Sequence, residues 1–458
     1  MRAKIKKQTG KRLGISLLSG IMFMNIMVPA LADNDEDGPY TIPKLQSYST
    51  KSTAEYSEAQ LADSLVEFGE IDFLVRHYNN TVISNRYTYN SLRDAYERAE
   101  ESGSVSSPTG GYKDADNSMD DALKQLDKGI SGYQNSIRQL YAQMDSMTSE
   151  AERLAAQNQI SALQNTLATL EVQRGYIQSI QEVNTTMSDM MGSMANGSGM
   201  SSSDLTNYYL QFSEVEATMV KAAQSMYPTY YQLVYNMDQL NANLAVAETA
   251  YQGTLVQKEL GMCTDNDVAD ALYNVTSIKN SITSLENQMV SLKQEFCKLV
   301  GKDFNEDITF GELPEVDYEY IASIDLYQDI DRALSKNYSV RNKQNVMNNN
   351  NGPGSTYESR KSDLYSLNAE RDNVRTEVNA AYLEIQTKMT ELTMAEEKLA
   401  NAERQIKQVE EQYNLGLISR LEYEQKKLSY ISEETACKTA ESALLDAVNT
   451  YKWAVQGL

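Results

Sequence analysis

From Val374 to Leu458 apolar side chains recur in a seven-residue rhythm, with Glu, Lys and Gln between them. Leu392, Ala395, Leu399, Ala402, Ile406, Val409 and Tyr413 alternate at steps of three and four. That is the seam of a helix packed along its length. Beyond Leu415-Gly416-Leu417-Ile418-Ser419 the rhythm continues at Ala436, Ala440, Ala443, Ala447 and Ala454, which gives the second arm a thin face of small residues. Gly416 suits the left-handed residue that ends a helix. Ser419, with Glu422 three residues on, is a capping box that starts the next one. The pattern predicts a long antiparallel helical hairpin with a tight tip.

The same device occurs earlier. Leu260-Gly261-Met262-Cys263-Thr264 aligns with Leu415-Gly416-Leu417-Ile418-Ser419, and Asp267 falls where Glu422 falls. Leu240, Leu244, Ala247 and Tyr251 lead into this turn. Val275, Ile278, Ile282, Leu285, Met289, Leu292, Phe296 and Leu299 lead out at steps of three and four. Gly301 lies 40 residues after its turn glycine and Gly457 lies 41 after its own. Two matching hairpins predict an internal repeat.

The pattern divides the chain as follows. Residues 33–60 read as an extended segment, because Pro43 and the Ser/Thr run from Ser47 to Thr53 oppose a helix. Residues 61–301 form the first repeat. Within it, Leu61 to Glu101 reads as helical, with Leu65, Ile71, Leu74 and Val75 as core positions. Ser102 to Asn117 reads as a loop. A helical insertion follows at 118–191, weakened at Gly129, Gly132 and Gly175, with Ser149 and Glu152 as a cap after a bend and Leu163, Leu167, Leu170 and Ile177 on its seam. Gly192 to Ser203 reads as a linker. Asp204 is expected to cap a helix running to Leu260, with a kink at Pro228. The tyrosines beside that proline, Tyr227, Tyr230, Tyr231 and Tyr235, are expected to pack around it, with a sugar-stacking platform as the other reading. Residues 302–323 form a connector. The second repeat spans 324–458: Ile324 to Met347 is helical and resembles Ser64 to Asn80, Asn348 to Ser355 is a breaker, and the long arm climbs from Tyr357. No alternating run is long enough for a strand. The expected class is all-α.

Residues 1–32 carry a secretory signal pattern. Arg2, Lys4, Lys6, Lys7, Lys11 and Arg12 precede an apolar stretch from Leu13 to Val28, and Ala30-Leu31-Ala32 is a cleavage site; an uncleaved anchor is the alternative. Of 458 residues, 41 are Lys or Arg and 64 are Asp or Glu; without the six basic residues of 1–32 the balance is 35 against 64, a net charge of −29. Such a chain repels nucleic acid and suits a solvated surface or the wall of a duct that admits cations. Cys263, Cys297 and Cys437 are an odd count, and the first two lie roughly 50 Å apart along a continuous helix, beyond disulfide reach. They read as small apolar residues, with pairing between chains as the alternative. His77 is the only histidine and has no metal-binding or catalytic partner in the sequence. There is no nucleophile paired with histidine, no Cys/His cluster and no glycine-rich phosphate loop, so neither an enzyme nor a cofactor is expected.

The matched tips, Gln257-Lys258-Glu259-Leu260-Gly261 with Thr264-Asp265 and Glu411-Gln412-Tyr413-Asn414-Leu415-Gly416 with Ser419, together with Leu299-Val300-Gly301 and the Thr309-Phe310-Gly311-Glu312-Leu313-Pro314 connector, resemble the TolC family of outer membrane efflux proteins. The resemblance covers residues 61–100 and 205–458. It implies a homotrimer whose protomers build a helical tunnel, and a β-barrel of two hairpins per protomer in the outer membrane. It also implies hairpin tips that meet a periplasmic adaptor of the membrane-fusion type, which serves an ABC or proton-driven pump. The chain departs from this pattern where the barrel belongs: the helical insertion at 118–191 fills one place and the short Asn348–Ser355 breaker the other. A transmembrane strand needs about nine to eleven residues.

Two functions are therefore expected to compete. In the first, the chain is an exported conduit or docking component that engages partners through Gly261, Thr264 and Asp267 on one tip and Gly416, Ser419 and Glu422 on the other. In the second, it is a structural or adhesive coiled-coil spacer on the cell surface.

Overall fold

The computed structural model describes residues 63–102, 112–144, eight helical positions between 156 and 181, 202–349 and 355–458. The fold is all-α, dominated by two long helical hairpins. Strand β1 (Leu65–Val66) and a 3-10 turn (Phe68–Glu70) precede α1 (Ile71–Tyr78), α2 (Asn80–Ser102) and α3 (Tyr112–Met144). The first long hairpin is α4 (Ser202–Glu259) and α5 (Asp265–Val300). Strand β2 (Thr309–Phe310), α6 (Tyr318–Ser323), α7 (Leu326–Lys336) and α8 (Tyr338–Asn349) follow. The second hairpin is α9 (Tyr357–Asn414) and α10 (Arg420–Gln456). The climbing arms α4 and α9 both have 58 residues, and the return arms α5 and α10 have 36 and 37. At helical rise each climbing arm is about 87 Å long.

The seams fall where the heptads place them. Leu392 and Ile406 on α9 are buried, with Ala395, Leu399, Ala402, Val409 and Tyr413 half-buried between charged positions. On α5, Val275, Ile278, Leu285, Leu292, Phe296 and Leu299 are buried. Burying an aliphatic or Phe side chain of this kind stabilises by about 1.5–3 kcal/mol. The alanine face proposed for α10 is only partly right. Ala447 and Ala454 are buried, but Ala436 is exposed. A second heptad one residue out of phase, Leu428, Thr435, Ser442 and Asn449, turns to α4. Thr435 donates to the Tyr235 carbonyl at 3.4 Å, Ser442 to that of Pro228 at 3.3 Å, and the Asn449 amide to Gln224 Oε1 at 3.2 Å. Helix α10 thus packs on two sides, against α9 and α4, and one stripe could not serve both.

These bonds also set direction. Residue numbers rise along α4 as they fall along α10, so the two helices are antiparallel. Helix α4 runs towards its turn while α10 leaves its own, which puts Gly261 and Gly416 at the same end of the body.

The start of each half is broken at an asparagine, where continuous helices were expected from Leu61 and from Ile324. Asn79 separates α1 from α2, and Asn337 separates α7 from α8. Asn79 is buried. Its Oδ1 accepts from the N–H groups of Thr81 and Val82 at 2.9 and 3.1 Å, and its Nδ2 donates to the Leu299 carbonyl at 2.8 Å. Asn337 repeats the arrangement, accepting from Val340 N–H at 2.9 Å and donating to the Gly457 carbonyl at 3.2 Å. Each asparagine thus caps the following helix and ties it to the end of the return arm of its own half.

Other expectations also need correction. Leu65 is exposed and lies in β1, whose two residues pair in parallel with Thr309 and Phe310, a strand pair too short for alternation to reveal. Residues 112–117 are helical rather than looped, and α3 continues through Gly129 and Gly132. Asp204 lies in the first turn of α4, not at its cap, while the helix runs through Pro228 to Glu259, one residue short of the Leu260 expected. Connector residues 318–323 form α6, and the breaker begins later than Asn348, since α8 extends to Asn349. Asp127 pairs with Arg174 at 2.5 Å, and Leu126 and Ile130 pack on Leu170, so the insertion folds back on itself. The signal pattern, the 33–60 segment, Ser149, Glu152, Gly175, Ile177 and most of the 192–203 linker lie outside the described residues.

Tyrosines on both sides of Pro228 pack against the strand pair. Tyr227 is fully buried and donates to the Val66 carbonyl at 3.2 Å, Tyr230 stacks on Phe310 with centroids 4.3 Å apart, and Tyr231 donates to the Gly311 carbonyl. Their rings clamp the β1–β2 pair to α4, which removes the sugar platform. Desolvation raises the Tyr227 phenol above its ordinary pKa, as expected for a sealed hydroxyl. About three turns earlier on α4, Glu216 accepts from Arg76 Nη1 at 3.1 Å and from Arg86, which fastens α1 and α2 to the arm. His77 is bound locally: its Nδ1 lies 2.9 Å from the Phe73 carbonyl and its ring stacks on Phe73.

Candidate functional site

The two tips are built alike. At the first, the Gly261 N–H donates to the Lys258 carbonyl at 2.8 Å and the Met262 N–H to that of Gln257 at 2.8 Å. At the second, Gly416 donates to Tyr413 at 2.9 Å and Leu417 to Gln412 at 2.8 Å. This pair of bonds closes a helix around a left-handed residue, and the glycines have φ of 74° and 71°. Nothing lies within 4 Å of where a Cβ would stand on either, so the conformation and not crowding selects glycine there.

The return helices are then started by side chains. Thr264 Oγ1 accepts from Asp267 N–H at 3.3 Å, and the Asp267 carboxylate accepts from Thr264 N–H and hydroxyl at 2.7 and 2.8 Å. Those two donors hold the Asp267 carboxyl below its ordinary pKa. Ser419 Oγ accepts from Glu422 N–H at 3.1 Å. The complete reciprocal box therefore belongs to Thr264 and Asp267, while Ser419 supplies the cap of α10. Each tip is braced one turn back. Cys263 donates to the Thr254 carbonyl at 3.3 Å, and Tyr413 stacks on Tyr423 with centroids 4.5 Å apart. All six residues singled out in the sequence thus have local roles in shaping the two turns, and both turns lie at one end of the molecule.

The sequence reading did not single out what these turns display. Leu260 and Met262 flank the first glycine and are 69% and 73% exposed; Leu415 and Leu417 flank the second and are 73% and 70% exposed. The clue was present, since an apolar residue stands on each side of a turn glycine in otherwise polar surroundings. Isolated exposed apolar residues are ordinary on any surface. Two matched pairs on two matched turns at one end are not a scatter.

With this geometry in view, comparison with known proteins adds little. No family model matches the chain, and no curated protein matches it. Among solved structures the chain is similar to CusC, at 13% identity and a TM-score of 0.44, over 70% of this chain and 96% of that one. It is similar to the CmeC outer membrane channel of Campylobacter jejuni, at 11% identity and a TM-score of 0.41, over 62% of this chain and 68% of that one. It is also similar to the outer membrane protein VceC of Vibrio cholerae, at 13% identity and a TM-score of 0.41, over 62% and 76%.

No group of three or more His, Cys, Asp or Glu side chains among the described residues is placed to hold a metal ion. No helix among them is long and apolar enough to cross a membrane. All three cysteines are free. Burial pushes the Cys297 thiol up to about 11, in keeping with a packing role.

Proposed function

We propose that this protein is an exported, TolC-like component of an envelope export system that docks a partner through its two hairpin tips. The observation that carries the reading is the pair of equivalent glycine turns at one end of the body, each presenting two exposed apolar side chains on a capped, braced frame. A docking surface needs apolar anchors on a scaffold that loses little freedom on binding, and both conditions are met here. The partner that fits is a helical hairpin of an adaptor of the membrane-fusion type, whose own apolar residues would cover Leu260, Met262, Leu415 and Leu417. An ABC or proton-driven pump stands behind such an adaptor, and three copies of this chain would form the conduit. The secretory pattern at residues 1–32 and the strongly acidic composition suit an envelope protein with a solvated wall.

A photo-crosslinking residue placed at Met262 or Leu417 in cells tests this. Capture of one adaptor-type protein from both positions, and not from the exposed Tyr273 along the return arm, is the expected result. Equal capture from tip and arm, or none from either tip, would favour the spacer function.

A further inference from the structure

The two return helices open with opposite charges. The residue after the N-cap is Asp265 on α5 and Arg420 on α10, at equivalent places in two turns otherwise built alike. A helix N-terminus presents unpaired N–H groups and the positive end of the helix dipole, so an acid suits that place and a base opposes it. Asp265 obeys this rule and is also paired, 2.5 Å from Lys258 at the end of α4. Arg420 breaks it.

Nothing within the chain compensates Arg420. It is exposed, and no carboxylate among the described residues pairs with it, Glu422 and Glu424 of its own helix included. The place that Lys258 holds on the first tip belongs on the second to Tyr413, whose ring is stacked on Tyr423. Three residues before Arg420 stands Leu417, 70% exposed. An unpaired base where the helix disfavours one, beside an exposed apolar group, breaks a local rule with no gain inside the fold. Such breaches mark functional positions. Arginine is also enriched among the few residues that carry an interface.

We propose that Arg420 is the specificity-determining residue of the second tip, and that the partner sets an Asp or Glu carboxylate against it beside the apolar groups covering Leu417. This rests on the tip-docking reading and adds to it the charge the partner must present. The exposed apolar pairs are matched on the two turns, so they cannot tell one tip from the other. Charge can. The first tip carries Glu259, Asp265 and Asp267 against Lys258, while the second carries Arg420 against Glu422. A carboxylate that fits the second tip therefore meets like charge at the first, which excludes the wrong docking as well as rewarding the right one. A guanidinium grips a carboxylate with two parallel bonds, so Arg420 also fixes the register of the contact.

A photo-crosslinking residue at Leu417 of the full chain, activated in isolated envelopes, reads the contact directly. Arg420→Glu is expected to lower the yield of the adaptor adduct about tenfold or more. Lys398→Glu, an equal charge reversal at an exposed position of α9 well back from the tip, should leave it unchanged. Raising salt from about 50 to about 500 mM should lower the yield in wild type and hardly move it in Arg420→Gln. The Tm of purified Arg420→Gln should equal or exceed that of wild type, because the helix start loses an opposing charge. A full adduct yield in Arg420→Glu would overturn the role of Arg420 and leave tip docking standing. A clear fall in the Tm of Arg420→Gln would overturn it too, since the arginine would then serve its own hairpin. An adduct with a second copy of this chain would overturn the partner named here. No adduct from either tip in wild type would remove tip docking and this contact together.

Discussion

Asn79 donates through its side-chain amide to the Leu299 carbonyl at 2.8 Å, across 220 residues of chain. One side chain thus ends α1, caps α2 and fixes both to the end of α5. Asn337 does the same between α7, α8 and the Gly457 carbonyl at 3.2 Å. Asn79→Ala is expected to cost about 2–4 kcal/mol, since it loses the cap and leaves a buried carbonyl without its donor. Asn79→Asp should rescue little of this, because a carboxylate can cap α2 but turns an acceptor towards Leu299. Denaturant unfolding of the two variants checks the ranking. Full rescue by Asp would mean that the cap alone matters.

The four glycines with positive φ among the described residues should separate into two classes. A Cβ on Gly301 would stand 2.1 Å from the Tyr78 carbonyl oxygen, and one on Gly457 would stand 2.6 Å from the Lys336 carbonyl carbon. Alanine at either adds a clash with backbone to the left-handed penalty, and about 3 kcal/mol or more should be lost. Alanine at Gly261 or Gly416 meets nothing within 4 Å and should cost about 1 kcal/mol. Melting temperatures of the four variants would show the split.

Much of this architecture was legible because it is repetitive. The seams of α5 and α9 and both turn glycines follow from spacing alone. The rest was hidden where a contact is not periodic. The β1–β2 pair has two residues a side, and its partners lie more than 240 residues apart. Asn79 and Asn337 break helices through bonds to distant carbonyls, which no local pattern encodes. The rhythm of α10 was read correctly but its phase was divided, because Thr435 and Ser442 make the face towards α4 with hydroxyls rather than methyl groups. Pro228 stands inside α4, which runs through it to Glu259, and the Ser442 hydroxyl donates to the Pro228 carbonyl. The tip caps were visible in sequence, whereas the exposure of the apolar residues beside them needed the fold.

Cys263 and Cys297 should differ in reactivity. Cys297 is fully buried and burial pushes its thiol up to about 11, so about one thiol in a thousand is ionised at pH 8. Cys263 is half-buried at a tip. Brief alkylation of the native protein at pH 8, read by mass spectrometry of the peptides, should label Cys263 and spare Cys297. Raising the pH towards 11 raises the thiolate fraction of Cys297, but access still limits it, so only unfolding should bring its labelling level with Cys263.

Glu216→Gln tests the buried charges between α1, α2 and α4. The glutamate neutralises Arg76 and Arg86, and all three side chains are at most 10% exposed. Removing its charge leaves guanidinium groups in the interior with Asp72 as the remaining counter-ion of Arg76. The expected loss is about 3–5 kcal/mol. Replacing Arg93 of the exposed Arg93–Asp94 pair with Gln should change stability by less than about 1 kcal/mol. Equal effects would mean that water reaches the Glu216 cluster.

The tips allow a sharper distinction, between what they display and how firmly they display it. Met262→Ser with Leu417→Ser removes one exposed apolar group from each tip and touches no cap. Stability should be unchanged within about 0.5 kcal/mol, because both side chains are largely in water already. Ser419→Ala does the reverse: it keeps all four apolar groups but removes the N-cap of α10, at about 1 kcal/mol. Heptad packing along both arms should hold the hairpin together, so the loosening stays at the tip. If the tips dock a partner by apolar contact, the first variant weakens capture through slower association and faster release at full stability. The second weakens it through the cost of re-ordering the turn on binding, so its deficit should shrink at low temperature, where the cap matters less to an already ordered tip. Binding of the adaptor captured by crosslinking, measured for both variants across temperature, gives the two signatures. Unchanged binding in the Met262→Ser, Leu417→Ser double variant would remove the apolar tips from the interface, whatever Ser419→Ala did.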